Sequence, residues 1–440
     1  MTSLFARFPR LFAFQISRSA TLKQIDDSTS PPEKRVNVHE SGIPFAEFVT
    51  IIALLMALNA FAIDVMLPAL PDIGDALNII EENNRQTIIL SYLVGFGVAQ
   101  LFFGPVTDAL GRRKVMAGGL ALYSIASLAS VFAQDLDQLL ITRVLQGIGC
   151  AGARVAALSV VRDCYSGRQM GKVMSLVMMV FMSVPVIAPS IGQAIQLVAG
   201  WRWIFVMLMV AGIGMLVWTS FRLPETLPPS KRRSMVFSTI TEAYIKALTT
   251  RVTFGYTLGM AFTFGGLFSF LAMSQQIFVD VFGLGNLFPI VFAAIAISMA
   301  VSSFLNSRLV EAIGMRRLSH AAALLYTGVG FAIFLAPTLG FEKLWLFLGL
   351  TTVVMMSFGF LGANFNAMAM EPLGDIAGTA SSVIGFVSTL GGAILGHIMG
   401  QLFDGSTQTL GLAYALYGIC AIGCILIAER GRMFHALERD

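Results

Sequence analysis

Three charged residues stand inside stretches of the chain that are otherwise apolar: Asp64, Arg143 and Arg154. A charge at the centre of a membrane helix costs about 2.5–3.5 kcal/mol on insertion scales, so each needs a chemical reason to be there. Asp64 lies one turn before Pro68 on an apolar run read outward, and Arg143 lies about a turn from the outer end of a run read inward. At ~1.5 Å per residue both sit roughly 6 Å below the same boundary, level with one another. A carboxylate held between an arginine and an apolar, desolvating cavity can exchange a proton for a cationic substrate. The bland alternative is that Asp64 caps a helix end near the interface while Arg143 snorkels outward. Arg154, about three turns deeper, cannot lose its proton and must pair or face water. A place on a central cavity is the expectation for it; a pair with the second span, or with the loop near Asp163, is the alternative.

Uncharged polar residues on candidate cavity faces are Asn59, Gln100, Gln146, Gln193, Gln276, Asn364 and Asn366, each of which could equally serve as an interhelical hydrogen bond. The turn Gly104-Pro-Val-Thr-Asp108-Ala-Leu-Gly111-Arg112-Arg113-Lys114 reads as a conformational gate. Gly104 permits close helix packing, Gly111 a tight turn, and the basic cluster a hold on anionic lipid. Asp108 would pair with Arg112 or cap a helix N-terminus. Pro185, Pro189 and Gly192 read as hinge positions, and Gly392, Gly396 and Gly400 as a stripe for close helix approach. His397 could relay protons or simply sit at an interface. The 35 Phe and 23 Met would face lipid or fill gaps, with a lean toward an adaptable binding surface.

The elements that must position these residues follow from composition. Of 440 residues 56% are hydrophobic and 12% charged, and the mean hydropathy is +0.78; soluble domains carry nearer 25% charge, so a soluble enzyme is excluded. With about 20 apolar residues per span, the breakers delimit helices near 47–70, 86–106, 115–133, 138–161, 171–198, 203–222, 253–279, 287–306, 319–337, 344–370, 377–402 and 409–428. The expected organisation is a cytoplasmic tail at 1–46, a six-helix bundle at 47–222, a cytoplasmic linker at 223–252, a second bundle at 253–428 and a cytoplasmic tail at 429–440. Arg7, Arg10 and Arg18 in the first tail could instead form an amphipathic surface helix. No apolar run with a cleavage site precedes Phe48, so a cleaved signal peptide is not expected.

Lys and Arg fix the orientation. Twenty-four of them fall on the side of the tail, only Arg85, Arg202 and Lys343 fall opposite, and Arg143 and Arg154 complete the 29. The turn at 104–114 has a counterpart in Ser307-Arg-Leu-Val-Glu311-Ala-Ile-Gly314-Met-Arg316-Arg317, displaced by 203 positions. Duplicated halves around a midplane site are a transporter architecture. Cys150, Cys164, Cys420 and Cys424 show no metal-ligand or redox spacing, so neither metal nor cofactor is expected. A basic stripe interleaved with aromatics is missing from the sequence, so nucleic acid is not an expected partner.

These residues resemble the major facilitator superfamily, and within it the drug:proton antiporters of the bicyclomycin-resistance type, over roughly Phe48 to Ala428. The likeness rests on Gly104-x3-Asp108-x2-Gly111-Arg112-Arg113-Lys114, on Arg143-x2-Gln146-Gly147-x-Gly149, on Asp64-x3-Pro68-x2-Pro71, on Arg162-Asp163-x-Tyr165-x-Gly167 and on Trp201-Arg202 near Phe205. It implies an all-α membrane protein of about twelve transmembrane helices in two six-helix halves, exporting small drug-like compounds across a bacterial inner membrane in exchange for protons. Asp64 and Arg143 would handle the proton or a substrate cation, and the chain would work as a monomer. Two departures stand out. Ala188-Pro189-Ser190-Ile191-Gly192-Gln193 lacks two of the three glycines of the antiporter motif, and Leu158 occupies a position where relatives carry arginine, with Arg154 one turn earlier.

A transporter for one physiological metabolite is the alternative reading. An intramembrane enzyme would need a Ser/His dyad or a ligand cluster at helix spacing, a sensor an appended domain, and a channel charged rings; the sequence offers none of these.

Overall fold

A computed structural model describes residues 43–165, 167–232 and 237–434. The N-terminal tail with Arg7, Arg10 and Arg18 falls outside the described residues. Fourteen α-helices occur among them: α1 (Phe45–Asp64), α2 (Leu70–Ala76), α3 (Thr87–Leu110), α4 (Arg112–Val131), α5 (Leu136–Cys164), α6 (Gly167–Ala199), α7 (Arg202–Arg222), α8 (Phe237–Thr249), α9 (Arg251–Gln275), α10 (Phe288–Ile313), α11 (Met315–Thr338), α12 (Leu344–Met370), α13 (Ala377–Gln401) and α14 (Thr407–Ala428). Twelve helical stretches among the described residues are long and apolar enough to cross a membrane; α2 continues the first of them, and α8 lies between the sixth and seventh.

The twelve spans form two groups of six. In the first, α5 packs against α3 and α4, α4 against α7, and α1 against α6; in the second, α9 packs against α13, α14 and α12, while α11 packs against α14 and α12. The groups meet where α3 lies on α13 and α6 on α10. These are the equivalent second and fifth spans of each half, so the interface has the pseudo-twofold character of a duplicated transporter.

The repeated turn has one physical cause in both halves. Gly111 and Gly314 adopt φ of 99° and 90°, joining α3 to α4 and α10 to α11. Side chains avoid that region, so the glycine three residues after the acidic residue is what lets two antiparallel helices meet end to end. Close packing depends on small residues too. A Cβ at Gly147 would collide with the Tyr92 carbonyl, and one at Gly149 would stand 2.5 Å from the Gly119 carbonyl oxygen. Along α13, Gly392 and Gly396 sit 2.5 and 2.6 Å, measured from the position of a Cβ, from the Cβ atoms of Phe264 and Phe268.

Two details differ from expectation. The 223–252 stretch contains the helix α8, whose Tyr244 hydroxyl donates to the Leu101 carbonyl of α3 at 2.6 Å. Burial raises the Tyr244 phenol above its ordinary value, so it stays a donor. The seventh span extends past α9 through a π-helical turn at Gln276–Val281, which turns Gln276 toward the neighbouring half.

Candidate functional site

A cavity of about 750 Å³ lies between the halves. Met174, Met178, Phe181 and Met182 of α6 face Phe264, Phe268, Phe292 and Phe358 across it, so its wall is mainly apolar, with many Phe and Met side chains. At one end the lining reaches Ile63 and Asp64; at the other it reaches Asp108, Arg162, Met170 and Met370, where α3, α5, α6 and α12 approach the 223–232 linker. The cavity therefore extends to the linker end of the bundle and stops short of the far end.

A polar network joins the halves at that far end. Asn83 Nδ2 donates to the carbonyls of Gln401 and Phe403 at 3.2 and 3.0 Å, and Gln401 returns a bond to the Asn83 carbonyl at 2.9 Å. Gln276 accepts from Gln86 at 2.9 Å and donates to Asn83 at 3.0 Å. Nearby, Gln193 of α6 bonds Asn286 at 3.1 Å. If these bonds hold the far end shut, Asn83→Ala with Gln276→Ala should let an impermeant thiol reagent from that side reach Ala60→Cys on the cavity wall at least about tenfold faster, since each net bond contributes ~0.5–1.5 kcal/mol. The native cysteines do not line the cavity and leave that reading clean; unchanged labelling would show that packing alone closes the far end.

Asp64 ends α1 for a reason visible in sequence. Pro68 has no N–H to give the Asp64 carbonyl, so the helix cannot continue past it and tightens into a 3-10 turn at Leu67–Ala69. The tightening moves the Met66 N–H onto Ile63 O at 3.4 Å, which frees the carbonyl of Ala62. Arg143, 0% exposed, takes it: Nη2 donates to Ala62 O at 3.2 Å, Nε to Ile88 O at 3.3 Å, and Nη1 to Gln146 Oε1. Its guanidinium stacks over Tyr92 at 4.5 Å, and Gln146 is anchored in turn on Ser127 Oγ at 2.6 Å. Arg143 thus lies at the level expected but points inward, so it does not snorkel.

The expected ion pair between Asp64 and Arg143 is not formed. The freed Ala62 carbonyl, the Ile88 carbonyl and the Gln146 amide oxygen use up the guanidinium fork, and Asp64 turns instead to the cavity wall, 3% exposed, with no hydrogen bond or ion pair to another described residue. Arg154 also faces the cavity, over the ring of Phe96 on α3 at 5.5 Å, and makes no ion pair with Asp163.

Of the other candidate cavity residues, Asn59 and Asn366 line the cavity, Asn59 accepting from Tyr92 Oη at 3.1 Å. Gln146, Gln276 and Asn364 do not. Gln146 orients Arg143, Gln276 belongs to the far-end network, and Asn364 pairs with Asn306 at 2.9 Å; each satisfies its amide against another helix, as a buried polar group must. Pro185 lines the cavity within an unbroken α6, and a Cβ on Gly192 would meet the Val65 carbonyl, so α6 rests directly on the end of α1. His397 lies off the cavity with Nδ1 unpartnered.

At the linker end, Arg112 joins Asp108 at 2.5 Å and Asp163 at 3.1 Å. Glu225 accepts from the backbone N–H groups of Arg112 and Arg113 at 2.9 and 3.2 Å, capping α4 with the charge its dipole favours. Thr226 donates to Asp163 at 2.8 Å, Arg113 donates to the Ser220 carbonyl, and Gly104 abuts Ser382 of the other half, 2.7 Å from a Cβ position to its Oγ. In the sequence Asp163 stands only as an alternative partner of Arg154, and Glu225 has no assigned role; the only signal for Glu225 is an acid following a proline after the sixth span. Arg112→Ala removes the cation between two carboxylates, and initial transport rates in vesicles should fall at least about tenfold with insertion intact, since charge-assisted bonds are the strong ones.

The family model described as Major Facilitator Superfamily matches residues 52–396. The chain is similar to the uncharacterized MFS-type transporter YdgK of Bacillus subtilis, 29% identical over 356 residues, covering 80% of this chain and 87% of that protein. It is 28% identical over 363 residues to a bicyclomycin resistance protein homolog of Haemophilus influenzae, covering 81% and 89%, and 26% identical over 377 residues to multidrug resistance protein D of Escherichia coli, covering 85% and 94%. Among solved structures, the xylose transporter XylE from E. coli superposes with a TM-score of 0.68 at 14% identity, covering 88% of this chain and 99% of that one.

Proposed function

Because the chain belongs to the major facilitator superfamily, we propose that it exports small, amphipathic, drug-like compounds across a bacterial inner membrane in exchange for protons, by alternating access between its two halves. The observation that carries this reading is Asp64: a buried carboxylate with no partner among the described residues, on the wall of an apolar cavity that reaches only one end of the bundle. Such a group must bind a proton or face a cation when the cavity is dry, and it can do only one at a time. The relatives named for multidrug and bicyclomycin resistance support the substrate class. The Phe and Met wall suits varied apolar ligands.

In this account the linker end is cytoplasmic, as the Lys and Arg distribution favours, and the bundles 47–222 and 253–428 rock about the linker 223–252 as a monomer. Substrate enters from the linker side while Asp64 is ionised. A proton taken at Asp64 from the opposite side displaces it after the halves rock, and the Asp108–Arg112–Asp163 cluster opens and re-forms in each cycle. Gly104, Gly111 and Arg113 shape this gate, and Pro185, Pro189 and Gly192 let α6 bend.

The test is uptake into liposomes that contain the purified protein. With an imposed gradient, acid inside, members of a panel of amphipathic dyes and antibiotics should accumulate, and a protonophore should abolish the accumulation. If no compound accumulates while the protein is folded and inserted, the multidrug reading fails and a transporter for one metabolite takes its place.

A further inference from the structure

Arg154 and Gln100 form a pair of hydrogen-bond donors without acceptors on the cavity wall. Arg154 Nε and Gln100 Nε2 are both buried and bonded to nothing described, and both residues line the cavity. They flank one ring. Phe96 lies under the Arg154 guanidinium at 5.5 Å, and Gln100 is one turn along α3 from Phe96, on a helix packed closely against the α5 that carries Arg154. The Gln100 amide packs against Gly385 of α13, its Oε1 2.6 Å from the position a Cβ would take there, and its NH₂ donor has no acceptor.

Among the described residues no carboxylate pairs with Arg154. Asp64 is level with Arg143, as the bond from Arg143 to Ala62 O establishes, and the eleven residues of α5 from Arg143 to Arg154 span roughly 16 Å. Asp108 and Asp163 are held by Arg112. The remaining cavity cation, Arg162, is exposed at the linker end and bonds Ser381 at 3.4 Å. A half-buried cation without a counter-charge is costly to keep, and two unpartnered donors on the wall of one cavity, beside an aromatic ring, suit one planar or tripodal anionic group.

Resting on the transport reading above, we propose that Arg154 and Gln100 form a subsite for a single anionic group, a carboxylate or sulfonate, carried on an otherwise apolar substrate. The anionic group lies against the Phe96 ring edge, and the apolar body extends along the Met178, Phe181 and Phe264 wall. This widens the substrate class from cations to amphipathic acids and to zwitterions whose cationic end reaches toward Asp64.

The test is a binding measurement, so it can be read whether or not proton coupling is found. Anilinonaphthalene sulfonate and the uncharged phenylnaphthylamine share one ring skeleton and brighten in apolar sites; both are titrated against the protein in nanodiscs, with empty discs subtracted. Wild type should bind the sulfonate about tenfold more tightly than Arg154→Gln, the size of one charge-assisted bond, while the uncharged dye binds both alike. Arg154→Lys should recover part of the difference, and Gln100→Leu should weaken only the sulfonate. The proposal is overturned if wild type does not bind the sulfonate above the empty-disc level, or if Arg154→Gln leaves its affinity unchanged. An equal loss of both dyes also overturns it, since Arg154 would then shape the cavity without recognising charge.

Discussion

Replacing Asp64 with asparagine should abolish gradient-driven accumulation while leaving substrate exchange intact. The substitution keeps the side-chain volume and an amide that can face the cavity, so the packing around α1 is undisturbed; Asp64 makes no ion pair to lose. What disappears is the proton site. A neutral amide resembles the protonated carboxyl at every stage, so the halves can still rock with substrate bound, and labelled substrate should still exchange for unlabelled substrate across liposomes. Accumulation against a gradient should fall to the level of empty liposomes. Asp64→Glu, which keeps the acid but moves it about one methylene, should retain part of the coupling. Persistent gradient-driven uptake by Asp64→Asn would assign the proton to another group.

Removing Arg143 should be the most damaging single change to the folded protein. Its fork satisfies the carbonyls of Ala62 and Ile88 and the amide oxygen of Gln146, all inside the bundle, and bonds to a charged donor contribute about 1.5–3 kcal/mol each. Arg143→Ala leaves the Ala62 carbonyl and the Gln146 amide oxygen without that donor beside a new void, while Ile88 O keeps the Ser91 hydroxyl. The melting temperature in detergent should drop sharply and yield with it. Arg143→Lys is the more telling variant. An ammonium supplies charge without the planar fork, so it can reach one of the three acceptors well. Most of the insertion should survive, but initial transport rates should fall at least about tenfold, because the end of α1 that carries Asp64 loses its anchor on α5. Full activity in Arg143→Lys would show that charge alone matters at this position.

The spans, the two halves and the repeated turn were legible because they rest on one-dimensional signals: runs of apolar residues, proline and glycine breakers, and the period of a duplication. Heights along a helix were legible for the same reason, which is why Asp64 and Arg143 were placed at one level. Direction around a helix was harder to read. Gln276 and Asn364 sit on spans that border the cavity, yet a π turn rotates the first toward Asn83 and Asn306 claims the second. The missing Asp64–Arg143 pair has a subtler origin: Pro68 frees a backbone carbonyl two residues before the acid, and a carbonyl leaves no mark of its own in a sequence. Glu225 was hidden because its role, capping α4 across the bundle, joins positions 113 apart. Arg154 lines the cavity, as its chemistry admits few other sites, whereas Gln100 became distinctive only once the structure left its amide donor without an acceptor.

The most direct test of proton-coupled export uses inverted membrane vesicles containing wild type or Asp64→Asn, energised to acidify the lumen, with a fluorescent reporter of luminal pH. Addition of a transported compound should collapse part of the gradient in wild-type vesicles and leave it untouched in Asp64→Asn vesicles. A gradient that falls equally in both would separate transport from Asp64, and one that falls in neither, with the compound still moving, would contradict proton exchange altogether.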